Sequence, residues 1–343
     1  MTARFVPGLQ LSAAFYEKVM APALRGVPHS SALIGPGSEV LSFDTERSAD
    51  HDWGPRALVF VDGEAVDEAR ERLLARLPAT FRGFPTSFGS DRNPVQPGVR
   101  VEEFTGWACG RLGFDPLGDI TLLDWLGTPT QLLAEFTGGA VFHDGLGVLA
   151  GARTRLRWYP DDVWRYVLAC QWTRIGQEEP FPGRCAEVGD GIGSALVTAR
   201  LVRDLMRLTL LMRRRYPPYS KWLGSAFARL SGTAELRDTL AAALAAPTWP
   251  QREDQLCRAY QATAALHNRL MLTVPMDPGV RAFHGRPFRV LDAGRFATAL
   301  MDGVRDPRIR ALTPVGAVDQ FADSTDLLSH PQHARGAARA VHC

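Results

Sequence analysis

From Tyr159 to Leu272 the sequence keeps one texture, with apolar residues recurring at helical spacing in segments 161–175, 186–216, 221–230, 234–245 and 251–272. Helices with apolar stripes must bury them against one another, so this run predicts an all-helical domain spanning residues 152–328. Upstream the texture is mixed. Leu11, Phe15, Val19 and Leu24 predict a short leading helix broken at Pro22, and Val66, Ala69, Leu73, Leu74 and Leu77 predict an amphipathic helix over 64–77. Residues 50–61 read as a strand that Gly54 and Pro55 interrupt or bulge. Val99 and Val101, alternating with Arg100 and Glu102, read as another strand beyond a Pro/Gly-rich loop over 84–98. The fold class expected is α+β: a small mixed-sheet domain over 1–151 followed by the all-helical domain. The stretch 329–343, rich in His, Ala, Arg and Gly, reads as a mobile tail.

A chain of 343 residues with 45% hydrophobic residues has enough material for two such cores. Its net charge of +2 is too small a basic excess to indicate a nucleic-acid partner. All but two of the 39 basic residues, Lys18 and Lys221, are arginine, a uniform bias that marks no particular surface. The five cysteines are scattered and form no C-x-x-C pair, so neither a disulfide framework nor a zinc site is signalled and a reducing cytoplasm is expected. The absence of a signal-peptide pattern and of any run of about 18 apolar residues argues against secretion and membrane spanning.

The segment with the most chemistry is Gly35-Pro36-Gly37-Ser38 followed, after eleven residues, by Asp50-His51-Asp52-Trp53. On a strand, Asp50 and Asp52 share one face while His51 and Trp53 take the other. Two carboxylates side by side repel, and a hard divalent cation, typically Mg2+, relieves that repulsion. Gly35 and Gly37 allow a sharp turn and a close backbone approach to a phosphate, and Ser38 adds a hydroxyl. Taken alone, an Asp-x-Asp is more often a solvated turn, and it is the upstream Gly-Ser turn that favours the metal reading. His51 reads as a packed or hydrogen-bonded residue, and the Trp and Tyr residues from Trp158 to Trp172 as helical core.

A Gly-Ser turn followed at this spacing by Asp-x-Asp resembles the signature of the polymerase-beta-like nucleotidyltransferase superfamily. Phe43-Asp44-Thr45, Asp50-His51-Asp52-Trp53-Gly54-Pro55-Arg56 and Pro218-Tyr219-Ser220-Lys221-Trp222-Leu223-Gly224 look like an uncharacterised bacterial nucleotidyltransferase-like family known as a domain of unknown function, over residues 30–235. The resemblance implies a minimal nucleotidyltransferase domain followed by a helical domain, similar to aminoglycoside nucleotidyltransferases. It puts Gly37 and Ser38 at the nucleotide and Asp50 and Asp52 at Mg2+ or Mn2+. Glu102 would be the third metal-binding carboxylate if Arg100 and Glu102 share the open face and Glu103 faces the core. Arg100 stands where the family's acid is expected, a departure that bears on catalysis. Glu179, beside Glu178 and before Pro180, would serve as general base, and Lys221 as a point charge on the triphosphate, with Arg56 and Arg184 as weaker candidates. The activity implied is magnesium-dependent transfer of a nucleoside monophosphate, AMP from ATP, to a small-molecule hydroxyl with release of pyrophosphate. The alternative is a catalytically degenerate nucleotide-binding or partner-binding protein of the same fold, of toxin–antitoxin type.

Overall fold

The computed structural model describes residues 4–91 and 93–343. The chain is mixed α/β, with 55% of residues helical and 9% in strands, so helices dominate and the sheet is small. It divides into two compact units. The first comprises residues 1–124, 131–157 and 329–332, and the second residues 125–130, 158–328 and 333–343. No helix among the described residues is long and apolar enough to cross a membrane.

The first unit is built on four strands: β1 (Ser30–Leu33), β2 (Ala57–Phe60), β3 (Val99–Glu102) and β4 (Ala140–Asp144), in the order β3-β2-β1-β4. β2 and β3 are parallel, with Val59 opposite Val101 and Phe60 opposite Glu102, whereas β1 runs antiparallel to both β2 and β4. A parallel pair needs a crossover, and it contains the amphipathic helix α2 (Val66–Leu74). One sheet face, carrying Ala57, Val59, Val99 and Val101, packs against Phe15 of α1 (Gly8–Phe15), Met20, Leu24, and Ala69 and Leu73 of α2. On the other face Phe60 lies 5.2 Å from both Phe104 and Trp107 of α3 (Phe104–Leu112). Beyond them lies Phe136 of α4 (Thr130–Thr137), its ring centroid 5.7 Å from that of Trp107. All four residues of β1 and of β2 are buried, so these strands are continuous apolar or small-residue runs without alternation.

The strand expected over 50–61 contracts to Ala57–Phe60. Thr45 and Ser48 form a capping box that starts a 3-10 helix over Glu46–Asp50. His51 is extended, Asp52 is left-handed at φ 47°, and Trp53 turns inward, stacking on Phe5 and meeting Phe84 edge-on. Pro55 then removes a ladder donor, so pairing begins only after it.

In the second unit the central helix α5 (Asp161–Glu178) is buried nearly all round by Trp164, Tyr166, Leu168, Trp172 and Ile175. It packs against α7 (Gly191–Met212) and α10 (Gly294–Asp302). The α10 contact is close because Gly176 faces the backbone nitrogen of Gly294, which a Cβ at position 176 would approach to 3.0 Å. α6 (Phe181–Glu187), α8 (Ala234–Ala245) and α9 (Trp249–Arg269) complete the packing around α7. Residues Pro331–His342, read from sequence as a mobile tail, form a helix that buries Ala334 and Ala338, one turn apart.

Candidate functional site

The geometry of the first unit centres on the turn after β1. Gly35 and Gly37 adopt φ of 91° and 144°, a region that L side chains rarely enter. At Gly37 space is also closed: a Cβ would lie 1.8 Å from the Arg56 guanidinium and 2.8 Å from both carboxylate oxygens of Glu39. Arg56, just ahead of β2, donates through Nη2 to the Pro36 carbonyl and sets its Nε 2.5 Å from Oε1 of Glu39, which is 3% exposed. That Nε–Oε1 contact is an ion pair without hydrogen-bond alignment, since both atoms are buried with no hydrogen-bond partner. The glycine turn and Arg56 are therefore one packed assembly.

Beside it, on the sheet face away from the α1–α2 core, is a cleft of about 480 Å³, open solvent included. Its apolar floor includes Leu33, Ile34, Leu58 and Trp107, and Arg56, Arg100 and Arg111 all line it. Alternation on β3 puts Arg100 here, because Val99 and Val101 belong to the opposite core. Each guanidinium is held by a carboxylate: Arg56 by Glu39, Arg100 by Glu102 at 2.5 Å and Arg111 by Glu135 at 2.7 Å. An arginine fork presents five donors, so one carboxylate contact orients it without using all of them.

The carboxylates singled out in the sequence have separate partners. Asp50 ends the 3-10 helix, and its Oδ1 lies 2.5 Å from Nδ1 of His51. Asp52 Oδ2 accepts from the Asn93 amide at 2.9 Å, and its backbone N–H donates to the Gly89 carbonyl. The Asn93 and Ser90 hydrogen bonds hold the Asp52 carboxyl below its usual range, with a smaller contribution from Arg56. Asp50 and Asp52 thus do not share a strand face: the 3-10 helix and the left-handed residue replace the period of two. Glu102 sits at the end of β3 and pairs with Arg100. Glu103 does not enter the core. It is exposed and N-caps α3, accepting from Thr105 N–H at 2.8 Å and Gly106 N–H at 2.6 Å. Its slight burial works against ionisation, but these amides outweigh it and its pKa falls. Among the described residues no three His, Cys, Asp or Glu side chains form a group able to hold a metal ion, so Asp50, Asp52 and Glu102 as they stand do not fit a three-carboxylate centre.

The expected residues Glu179, Arg184 and Lys221 lie in the second unit, Arg184 with its guanidinium 5.7 Å from the Phe181 ring centre. Glu179 is 7% exposed and accepts from the Leu291 and Ala293 amides at 2.6 and 3.0 Å, anchoring the chain ahead of α10. Burial pushes its pKa up to about 7, against the lowering effect of the amides. Its neighbour Glu178 takes a two-point contact from Arg200. Lys221 is exposed in the helix Ser220–Ala228, its ammonium 5.5 Å from the Trp222 ring centre. Sequence reasoning missed Glu39, Arg111 and Glu135. Glu39 was within reach of that reading as the residue following Gly37-Ser38, whereas Arg111 and Glu135 come from helices distant in sequence and carry no local signal.

A family model described as Domain of unknown function (DUF4037) matches residues 125–223. That span covers less than a third of the chain and excludes the glycine turn, Asp50 and Asp52. No curated protein and no solved structure matches the chain.

Proposed function

We propose that the chain binds a nucleoside triphosphate in the first unit, with the phosphates held by Arg56, Arg100 and Arg111 against the Gly35–Gly37 turn. The convergence of three carboxylate-oriented guanidiniums on one cleft carries this reading. Planar guanidinium forks match phosphate oxygens two at a time, and charge-assisted hydrogen bonds of this kind are about twice as strong as neutral ones. Leu33, Ile34, Leu58 and Trp107 supply the apolar surface a base or sugar needs. Titration calorimetry with ATP should give binding that Arg100→Ala and Arg111→Ala each weaken at least tenfold, about 1.4 kcal/mol. Wild-type protein that binds no nucleoside triphosphate would sink the reading.

The second reading is transfer of AMP from ATP, with Mg2+ or Mn2+, to a small-molecule hydroxyl. It is favoured by Asp52, whose carboxyl is close enough to Arg56, part of the glycine-turn assembly, to feel its charge. Because the carboxylates do not fit a three-ligand centre, no catalytic step is assigned to them. Pyrophosphate release from ATP that vanishes in Asp52→Ala would establish this reading over binding alone.

A further inference from the structure

We infer that the exposed face at the start of α7 is a homodimer interface that pairs with the same face of a second copy in antiparallel orientation. One side of α7 is buried through Ser194, Thr198, Leu201, Leu205 and Leu208. The other carries Ile192 at 78% and Leu196 at 63% exposure, with Ala199 in phase one turn on and Val188, 81% exposed, just before the helix. These helix positions follow i, i+4, i+7 spacing, so they form one stripe, and no charged residue lies between Asp190 and Arg200. Exposed apolar residues in phase on one side of a surface helix offer a contact surface.

Two properties select a second copy as the occupant. The first is size complementarity. Reversing the helix about a two-fold axis near residues 195 and 196 sets Ile192 opposite Ala199 and Leu196 opposite Ala195, large against small, as close helix packing requires. The second is charge. Glu187 and Asp190 lie at the N-terminal end of the stripe and Arg200 and Arg203 at the C-terminal end. Arg203 continues the stripe at i+11. An antiparallel crossing brings acidic end to basic end twice by symmetry, whereas a parallel one sets like against like. Glu187, Arg200 and Arg203 also have intramolecular partners: Arg286 at 3.3 Å, Glu178 through a two-point contact and Asp323 at 2.6 Å. Those pairs are partly exposed and exchange readily with a partner's charges. The acidic end is unsuited to an anionic membrane surface.

Sedimentation equilibrium of the full chain at loading concentrations of roughly 1–100 µM, a range that brackets an interface of modest area, tests the inference. The wild type should move from the 37.6 kDa monomer toward twice that mass. Leu196→Glu should remain monomeric throughout with an unchanged circular dichroism spectrum, and Leu196→Ser should show the same loss in milder form. Glu187→Arg and Arg203→Glu should each weaken dimerisation at least threefold, and the double exchange should restore it. A monomeric wild type, or a dimer that Leu196→Glu leaves intact, overturns the inference. So does a monomer whose binding to phosphatidylserine vesicles is lost in Leu196→Glu, which would assign the stripe to a membrane.

Discussion

Burial raises the Glu179 pKa from its ordinary 4.5 to about 7 and lowers that of His267 from 6.5 to about 4. The carboxylic acid is favoured over the carboxylate in one case, and neutral imidazole over imidazolium in the other. His267 is held in a polar pair of contacts, with the Trp172 indole N–H donating to Nδ1 at 3.2 Å and Thr273 at 3.0 Å from Nε2. The two groups therefore act on stability with opposite signs. Glu179, raised in the fold, contributes stability that is complete below 4.5 and lost as pH rises through about 7. His267, depressed in the fold, contributes stability that is present above 6.5 and lost as pH falls through about 4. In the window between 4.5 and 6.5 the two slopes oppose each other, so their joint effect on the wild type is nearly flat. Glu179→Gln removes the falling component. The melting midpoint of the second unit should then climb by roughly 4–8 °C more than that of the wild type between about pH 5 and 6.5. A variant whose profile runs parallel to that of the wild type would show that Glu179 is ionised in the fold, stabilised by its backbone amides.

At the level of elements, legibility follows the length and redundancy of the pattern. The helix expected over 234–245 coincides with Ala234–Ala245, and the one expected over 161–175 extends only to Glu178, because many residues of one stripe vote together. Residues 331–342 escaped because alanines carry their buried positions, a weak hydropathy signal. The Asp50 segment was misread because β2 is only four residues long and buried on both faces. It has no alternation of its own, and the preceding residues lent it a false one. By contrast, β3 alternates genuinely, and reading Arg100 and Glu102 onto the open face matches the geometry. What the strand pattern could not supply is that these two neighbours pair with each other. That pairing separates the two functional readings. Glu102→Gln removes the charge competing for Arg100 and should tighten ATP binding about threefold, some 0.6 kcal/mol, as measured by calorimetry. Were Glu102 instead a metal-holding carboxylate, the same variant would abolish metal-dependent pyrophosphate release. Unchanged affinity would remove Arg100 from the phosphate site, and weaker affinity would show that Glu102 acts by orienting it.

For the whole molecule, the two units assign different roles to different stretches of sequence. The glycine turn and all three cleft arginines belong to the first unit, whereas the Pro218–Gly224 motif belongs to the second. A ligand that binds only the folded site stabilises it in proportion to occupancy, by about 2.7 kcal/mol at a hundredfold excess over Kd. Amides that exchange through opening of that site are slowed accordingly, and amides that open independently are not. Hydrogen exchange with saturating ATP should therefore show protection concentrated in the turn after β1, the start of β2, β3 and α3. The DUF4037-matched helices of the second unit should exchange as they do without nucleotide. Protection centred on residues 218–224 instead would move the phosphate site to Lys221 and its surroundings. Arg56, Arg100 and Arg111 would then be a structural charge network, balanced by Glu39, Glu102 and Glu135 for stability alone.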